Sequence, residues 1–290
     1  MPPPAVAAPW GRCSVRILSS AALPSVARRA LSTASIGWSS SITFATLGTA
    51  VTTLVLVPGL NVLFTVLLGA DLAANDTVRI GCASALIATL SSVAAGIVAR
   101  VATDRWIGVF EYVCTARPVD AGYWLGAAAV PALLASVTGL SNVGIVWLLS
   151  LTAPSTGAAS GLLIGAIALM PVAVLGGVCL GIFAAGLGLY LSDPYTGSNF
   201  LSIILPVSAG VIVPVSTYPG WLAWLCSWVP GSRLVQVLDA SSGIANGTAP
   251  ELFALLATDA ALAVLYAAVG LGLTLLAARR IRAGARASLL

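Results

Sequence analysis

The chain has 290 residues, 59% of them hydrophobic and 8% charged, and its mean hydropathy is +1.04. A soluble domain carries about 25% charged residues, so this composition cannot clothe a water-facing surface, and the solvent it implies is lipid. The net charge is +4, but the arginines fall at the ends of apolar runs rather than on one patch, so nucleic acid is not the partner they suggest.

Every basic residue is Arg, and there is no His. Without Lys the chain has no Walker A motif, Schiff-base lysine or Ser-x-x-Lys nucleophile. Without His it has no Ser-His-Asp triad, zincin motif or histidine haem ligand. Carboxylate chemistry within the membrane is the enzymatic alternative left open. Cys13, Cys82, Cys114, Cys179 and Cys226 are scattered and never spaced as Cys-x-x-Cys, and read as small apolar filler. No metal site is expected.

In chain order, residues 1–41 form a cytoplasmic or interfacial segment. Arg12, Arg16, Arg28 and Arg29 interrupt it before any apolar core long enough for a cleavable signal. Between residues 11 and 36 Arg alternates with Val15, Ile17, Leu18, Leu23, Val26 and Leu31, which suits a helix lying along the membrane face and broken at Pro24. A basic tail without structure is the alternative.

A spanning helix needs about 20 apolar residues. The runs at 42–69, 80–99, 123–151, 161–191, one starting near Phe200 and cut by Pro214, and 252–278 predict six spans within a single membrane domain, 1–290, whose core is 42–278 and whose basic tail is 279–290. Pro58, Pro131 and Pro171 lie inside spans, where neighbouring helices can re-satisfy the backbone. With the N-terminus inside, the inner segments hold Arg12, Arg16, Arg28, Arg29, Arg100, Arg105, Arg117, Arg279, Arg280, Arg282 and Arg286, and the outer ones only Arg79 and Arg233. That asymmetry favours an even number of spans with both termini cytoplasmic. The exclusive use of Arg suits a GC-rich bacterial genome, so the expected location is a bacterial cytoplasmic membrane.

Three further features stand out. In the loop 103–118, Trp106, Ile107, Phe110, Val113 and Cys114 recur at helical spacing, with Asp104, Arg105, Glu111 and Arg117 elsewhere. A short amphipathic helix between two spans could act as a lever, and an interfacial turn is the alternative. On the outer side, Trp221, Trp224 and Trp228 stand at i, i+3 and i+7 between Pro219 and Pro230. That predicts a re-entrant or interfacial hairpin, or a plain aromatic belt. In the first span Thr46, Thr49 and Thr53 share a face, as helix-packing hydroxyls or as part of a substrate path. Gly161 with Gly165, and Gly177 with Gly181, are close-packing pairs. Thr248-Ala-Pro-Glu251 is a capping box for the last span, with Asp259 about two turns in.

The order of these parts resembles the permease subunits of type-2 ATP-binding-cassette (ABC) transporters, a family of drug, antibiotic and polysaccharide exporters. Two stretches carry the resemblance: DRWIGVFEYVCTARP, with Gly108, Glu111 and Pro118 in the family's places, and VPVSTYPGWLAWLCSWVPGSRLVQVLD. The resemblance implies a cytoplasmic coupling helix around Asp104, Arg105, Gly108, Glu111, Tyr112, Arg117 and Pro118 that docks on a separate ATPase. It also implies an extracellular gate around Pro214, Pro219, Trp221, Trp224 and Trp228. ATP and Mg would sit on that partner, with no cofactor in this chain, and a second permease copy or a sister permease would complete a dimer among membrane lipids. Charged residues are scarce at the predicted mid-membrane level, which fits an amphipathic or hydrophobic cargo. An ion-coupled secondary carrier or a non-transporting scaffold are the alternatives.

Overall fold

Long apolar runs can satisfy their backbone groups in lipid only as helices or closed barrels, and every regular element among the described residues is helical. The computed structural model describes residues 25–39, 41, 46–71, 77–116, 121–151, 159–241 and 248–284. Helix α1 (Ser25–Ser39) starts directly after Pro24. The stretch before it lies outside the described residues. Helix α2 (Leu47–Val51) passes through a π-helical turn, Thr52–Leu56, into α3 (Val57–Asp71). Helix α4 (Thr77–Trp106) is followed by α5 (Val109–Ala116), α6 (Ala121–Ser150) and α7 (Ala159–Gly188). Helix α8 (Thr196–Ser208) leads through a short 3-10 turn to α9 (Gly220–Cys226), α10 (Leu234–Ser241) and α11 (Ala249–Arg282).

Among the described residues, five helices are long and apolar enough to cross a membrane: Leu47–Gly69, Thr77–Trp106, Ala121–Ser150, Ala159–Gly188 and Ala249–Arg282. The expected fifth span is shorter than the rest. Pro206 lies inside α8, the helix ends at Ser208, and Gly210 takes a left-handed φ of 67°, so the chain turns before Pro214 is reached. Its 13 residues rise about 20 Å, less than the ~30 Å hydrocarbon core. At the other extreme α11 carries its helix through Arg279 and Arg280 to Arg282, so the basic tail begins as the last turn of a span.

The core is built around α4. In its most apolar stretch 67% of residues are buried, against 17% in the first span. Small residues make that possible. A Cβ on Gly177 would come 2.6 Å from the Leu90 carbonyl oxygen, and one on Gly181 3.0 Å from the Ala94 Cα. This glycine pair therefore serves packing of α7 on α4 within the chain, where backbone contact replaces the hydrophobic driving force that lipid removes. The matching order (177 beside 90, 181 beside 94) sets α4 and α7 parallel. Helix α11 crosses α7 where Gly186 meets Gly270, at a similarly close approach.

These directions give the bundle two ends. Helices α4, α7 and α11 all begin at the end that carries α9 and α10 and all finish beside α5.

Candidate functional site

The α5 end is an interlocked ring of side chains. Helix α4 stops at Trp106, and Gly108, with φ of 76°, supplies the left-handed residue that turns the chain into α5. The segment read as one amphipathic helix is thus the last turn of α4, a tight turn and an eight-residue helix. The break at Gly108 rotates the apolar face. Phe110 and Cys114 are buried and Val113 is half-buried, but Trp106 and Ile107 are exposed, at 65% and 66%.

Five of the candidate coupling residues, Asp104, Arg105, Gly108, Glu111 and Tyr112, have a defined place. Asp104 is buried, accepts a hydrogen bond from the Tyr123 hydroxyl of α6 at 3.1 Å, and pairs with Arg100 at 3.4 Å. Arg105 donates to the carbonyls of Gly188 and Leu191, each at 2.9 Å, so a cation stops the last turn of α7 where the helix dipole is negative. Arg282, in the last turn of α11, donates through Nε to the Cys114 carbonyl at 2.8 Å. The rings of Phe110 and Tyr123 meet edge-on, as do those of Trp106 and Tyr195. Glu111 is half-buried, while Tyr112, 74% exposed, points away from all of this. Arg117 and Pro118 lie outside the described residues.

Helix α5 is therefore clamped to the finishing turns of α4 and α11 and to the start of α6, with one aromatic side chain presented outward. The Cys114 thiol is pushed up to about 11, mainly by burial, with nearby Arg282 opposing and Glu111 reinforcing. It is a packed, un-ionised thiol.

The opposite end is held differently. Arg79, at the start of α4, makes a two-pronged pair with Asp239 of α10, Nε to Oδ1 at 2.7 Å and Nη2 to Oδ2 at 2.8 Å. It also reaches the Gly210 and Val211 carbonyls where α8 turns, at 3.5 and 3.4 Å. Asp259 of α11 is buried, and its carboxylate receives the Gly231 backbone N–H at 2.9 and 3.0 Å. Gly231 has φ of 89°, which lets the chain present that amide just before α10. Two helices, α4 and α11, thus hold the α9–α10 segment through two carboxylates.

Sequence reasoning assigned none of these a role. The available signal was a charge in an apolar surrounding, at Arg79, Asp239 and Asp259. The gate candidates sit on the outer face of the same segment. Pro214 precedes the 3-10 turn, and Pro219 precedes α9. Trp221, Trp224 and Trp228 are all exposed, and Trp224 and Trp228 meet edge-on at 6.0 Å.

Thr46 and Thr49 form a reciprocal capping box at the start of α2, and the Thr53 hydroxyl donates back to the Thr49 carbonyl. Their hydroxyls satisfy the helix backbone, and Thr53 also borders a cavity between α1, the first span, α4 and α6. Asn142 of α6 is fully buried, and neither atom of its amide has a hydrogen-bond partner among the described residues.

Comparison with protein-family models, curated proteins and solved structures gives no match for the chain.

Proposed function

We propose that this chain is the membrane subunit of an ATP-driven exporter, working as a dimer with a second copy or a sister permease and powered by a separate ATPase that carries ATP and Mg. The observation that supports this most is α5. It is a short helix joined to α4 at Gly108, to α6 by Phe110 against Tyr123 and to α11 by Arg282, while Tyr112, with Trp106 and Ile107, is exposed. Force applied to the outward face reaches α4 through Gly108, α6 through the Phe110–Tyr123 ring contact and α11 through Arg282. A partner that moved α5 would move all three together.

In this reading α5 and both termini face the cytoplasm and the α9–α10 segment closes the outer mouth. Helix α8 with its turn at Gly210 completes a sixth, shortened pass, a reading supported by Arg79 at the start of α4, which donates to the carbonyls of that turn. The cargo is amphipathic or hydrophobic, and it shifts the transporter only through its different affinity for the inward and outward states. The buried Asp259 argues against an ion-coupled carrier, because its carboxylate is committed to the Gly231 amide.

The test is purification from native membranes in mild detergent, followed by mass spectrometry of what accompanies the chain. We expect a stoichiometric ATPase subunit, lost when Tyr112→Ala is combined with Glu111→Arg while the thermal melt stays unchanged. A protein that purifies alone, and whose reconstituted vesicles show ion-gradient-driven flux, would replace this reading with the secondary carrier.

A further inference from the structure

A cavity of about 900 Å³ opens between α1, the first span, α4 and α6, within the size range of ligand pockets. Its α4 wall is one helical face, Ser92, Gly96, Ala99, Arg100 and Thr103, which rises roughly 17 Å from first to last. Gly96 lies against Pro131, and Gly139 against Thr89, so α6 runs antiparallel to α4 along this wall. Ser92 and Thr138 therefore lie toward one end of the cavity, and Arg100, Thr103 and Asp104 toward the end beside α5.

The polar groups at the α5 end are committed within the chain. Asp104 is held by the Tyr123 hydroxyl and by Arg100, and Arg100 takes part in a further interaction besides that pair. The Thr103 hydroxyl donates to the Ala99 carbonyl. The body of the cavity is apolar, with Ala127, Val130 and Leu134 of α6 and Leu54 and Pro58 of the first span on its walls.

The other end holds a group with no such commitment. Buried threonines elsewhere in the spans donate back to their own helix, Thr89 to the Ala85 carbonyl and Thr274 to that of Gly270. On α6 itself Ser136 and Ser141 do the same. Thr138 does not. It is 6% exposed and borders the cavity, and its hydroxyl has no hydrogen bond among the described residues. A hydroxyl left without an acceptor in apolar surroundings is unfavourable, so this one points to a guest that supplies the acceptor. A second, independent mark is the π-helical turn Thr52–Leu56, which places Thr53 and Leu54 on the cavity wall. Single π turns inside α-helices concentrate at functional sites.

We propose that this cavity binds an uncharged, elongated hydrophobic molecule whose carbonyl oxygen accepts the Thr138 hydroxyl. The roughly 17 Å wall sets the length, and the apolar body takes the hydrocarbon. The paired charges at the α5 end leave no partner for an ionised headgroup, so the guest is neutral. Its one polar atom belongs at the Thr138 end. The site does not depend on the exporter reading, since neither an ATPase nor a dimer enters the argument.

The experiment is equilibrium binding of three tritiated probes to the full chain in phosphatidylcholine nanodiscs, with empty nanodiscs subtracted. The probes are methyl tetradecyl ketone, hexadecane and hexadecanoate, equal in carbon number and different only in the polar group. The wild type should bind the ketone saturably, about five-fold more tightly than the hydrocarbon, and hexadecanoate more weakly than the ketone. Thr138→Val keeps the shape and removes the hydroxyl, so it should erase the ketone's advantage and leave hexadecane binding unchanged. Ala99→Phe fills the cavity and should weaken ketone and hydrocarbon alike, about ten-fold. If Ala99→Phe fails to fold, Ser92→Phe blocks the same wall nearer Thr138 and should show the same loss. Four results would overturn the proposal: equal wild-type binding of ketone and hexadecane, a ketone preference that survives Thr138→Val, tighter binding of hexadecanoate than of the ketone, or unchanged binding in a folded filling variant.

Discussion

At the α9–α10 end the guanidinium of Arg79 meets a carboxylate, whereas at the α5 end those of Arg105 and Arg282 meet backbone carbonyls. The first arrangement joins two side chains that are both largely buried, and it stands or falls with either one. The second uses neutral acceptors that exist at every helix C-terminus, so each contact is weaker and the assembly is spread over many residues. A segment built to open as a unit suits the first chemistry. A segment that transmits force through several helices without coming apart suits the second.

The largest effect is expected where the charges are paired. Arg79→Ala leaves Asp239 largely buried without the guanidinium and should cost about 3–5 kcal/mol, read as a fall in the thermal melt. Replacing both partners, as Arg79→Leu with Asp239→Leu, should recover most of the loss. A double variant as unstable as the single one would show that the pair's geometry, rather than the stranded charge, sets the cost.

At the α5 end the single losses should be smaller. Arg105→Ala or Arg282→Ala each removes charge-assisted bonds to carbonyls, about 1–3 kcal/mol apiece. Arg282→Ala should also raise hydrogen exchange across residues 109–116, because that bond ties α5 to α11. Exchange unchanged in α5 would mean that Phe110 and Cys114 packing alone holds it.

How much of this could be read beforehand depended on range. The long spans were legible because 20 apolar residues without charge leave a chain little choice but helix. The end of α8 was not, because Pro214 is the louder signal while Gly210, four residues earlier, does the turning. The apolar face of α5 was misjudged at Trp106 and Ile107, since helical periodicity was carried straight across Gly108. Arg79 and Asp239 are 160 positions apart, and no local pattern joins them. The Gly231 amide on Asp259 was out of reach for the same reason, although the odd charge in an apolar helix was visible at once.

Between the two ends, Asn142 should behave in the opposite sense. Its buried amide lacks a partner among the described residues, so Asn142→Leu should stabilise the fold on the order of 1 kcal/mol. A lower melt would point to a bound water bridging that amide.

The smallest effect is a rate. Burial raises the Cys114 thiol to about 11, so the neutral form dominates at pH 8 and the reactive thiolate is scarce. Alkylation at Cys114 should be far slower than at an exposed cysteine and should quicken as pH climbs toward 11. The same raised value means that whatever stability the buried neutral thiol contributes is complete below about 9 and fades as pH rises through 11. Arg282→Ala removes the cation that opposes this rise, so faster alkylation of that variant at fixed pH would report a loosened α5 and not a more ionised thiol.

The central claim, that α5 receives the driving partner and the α9–α10 end does not, is tested most directly by crosslinking from each end. Tyr112→Cys and Trp221→Cys place exposed thiols on the two segments, and a bifunctional reagent applied to native membranes reports what lies beside each. The account predicts an ATPase adduct from position 112 and none from 221. An adduct from neither position, or equally from both, would contradict it.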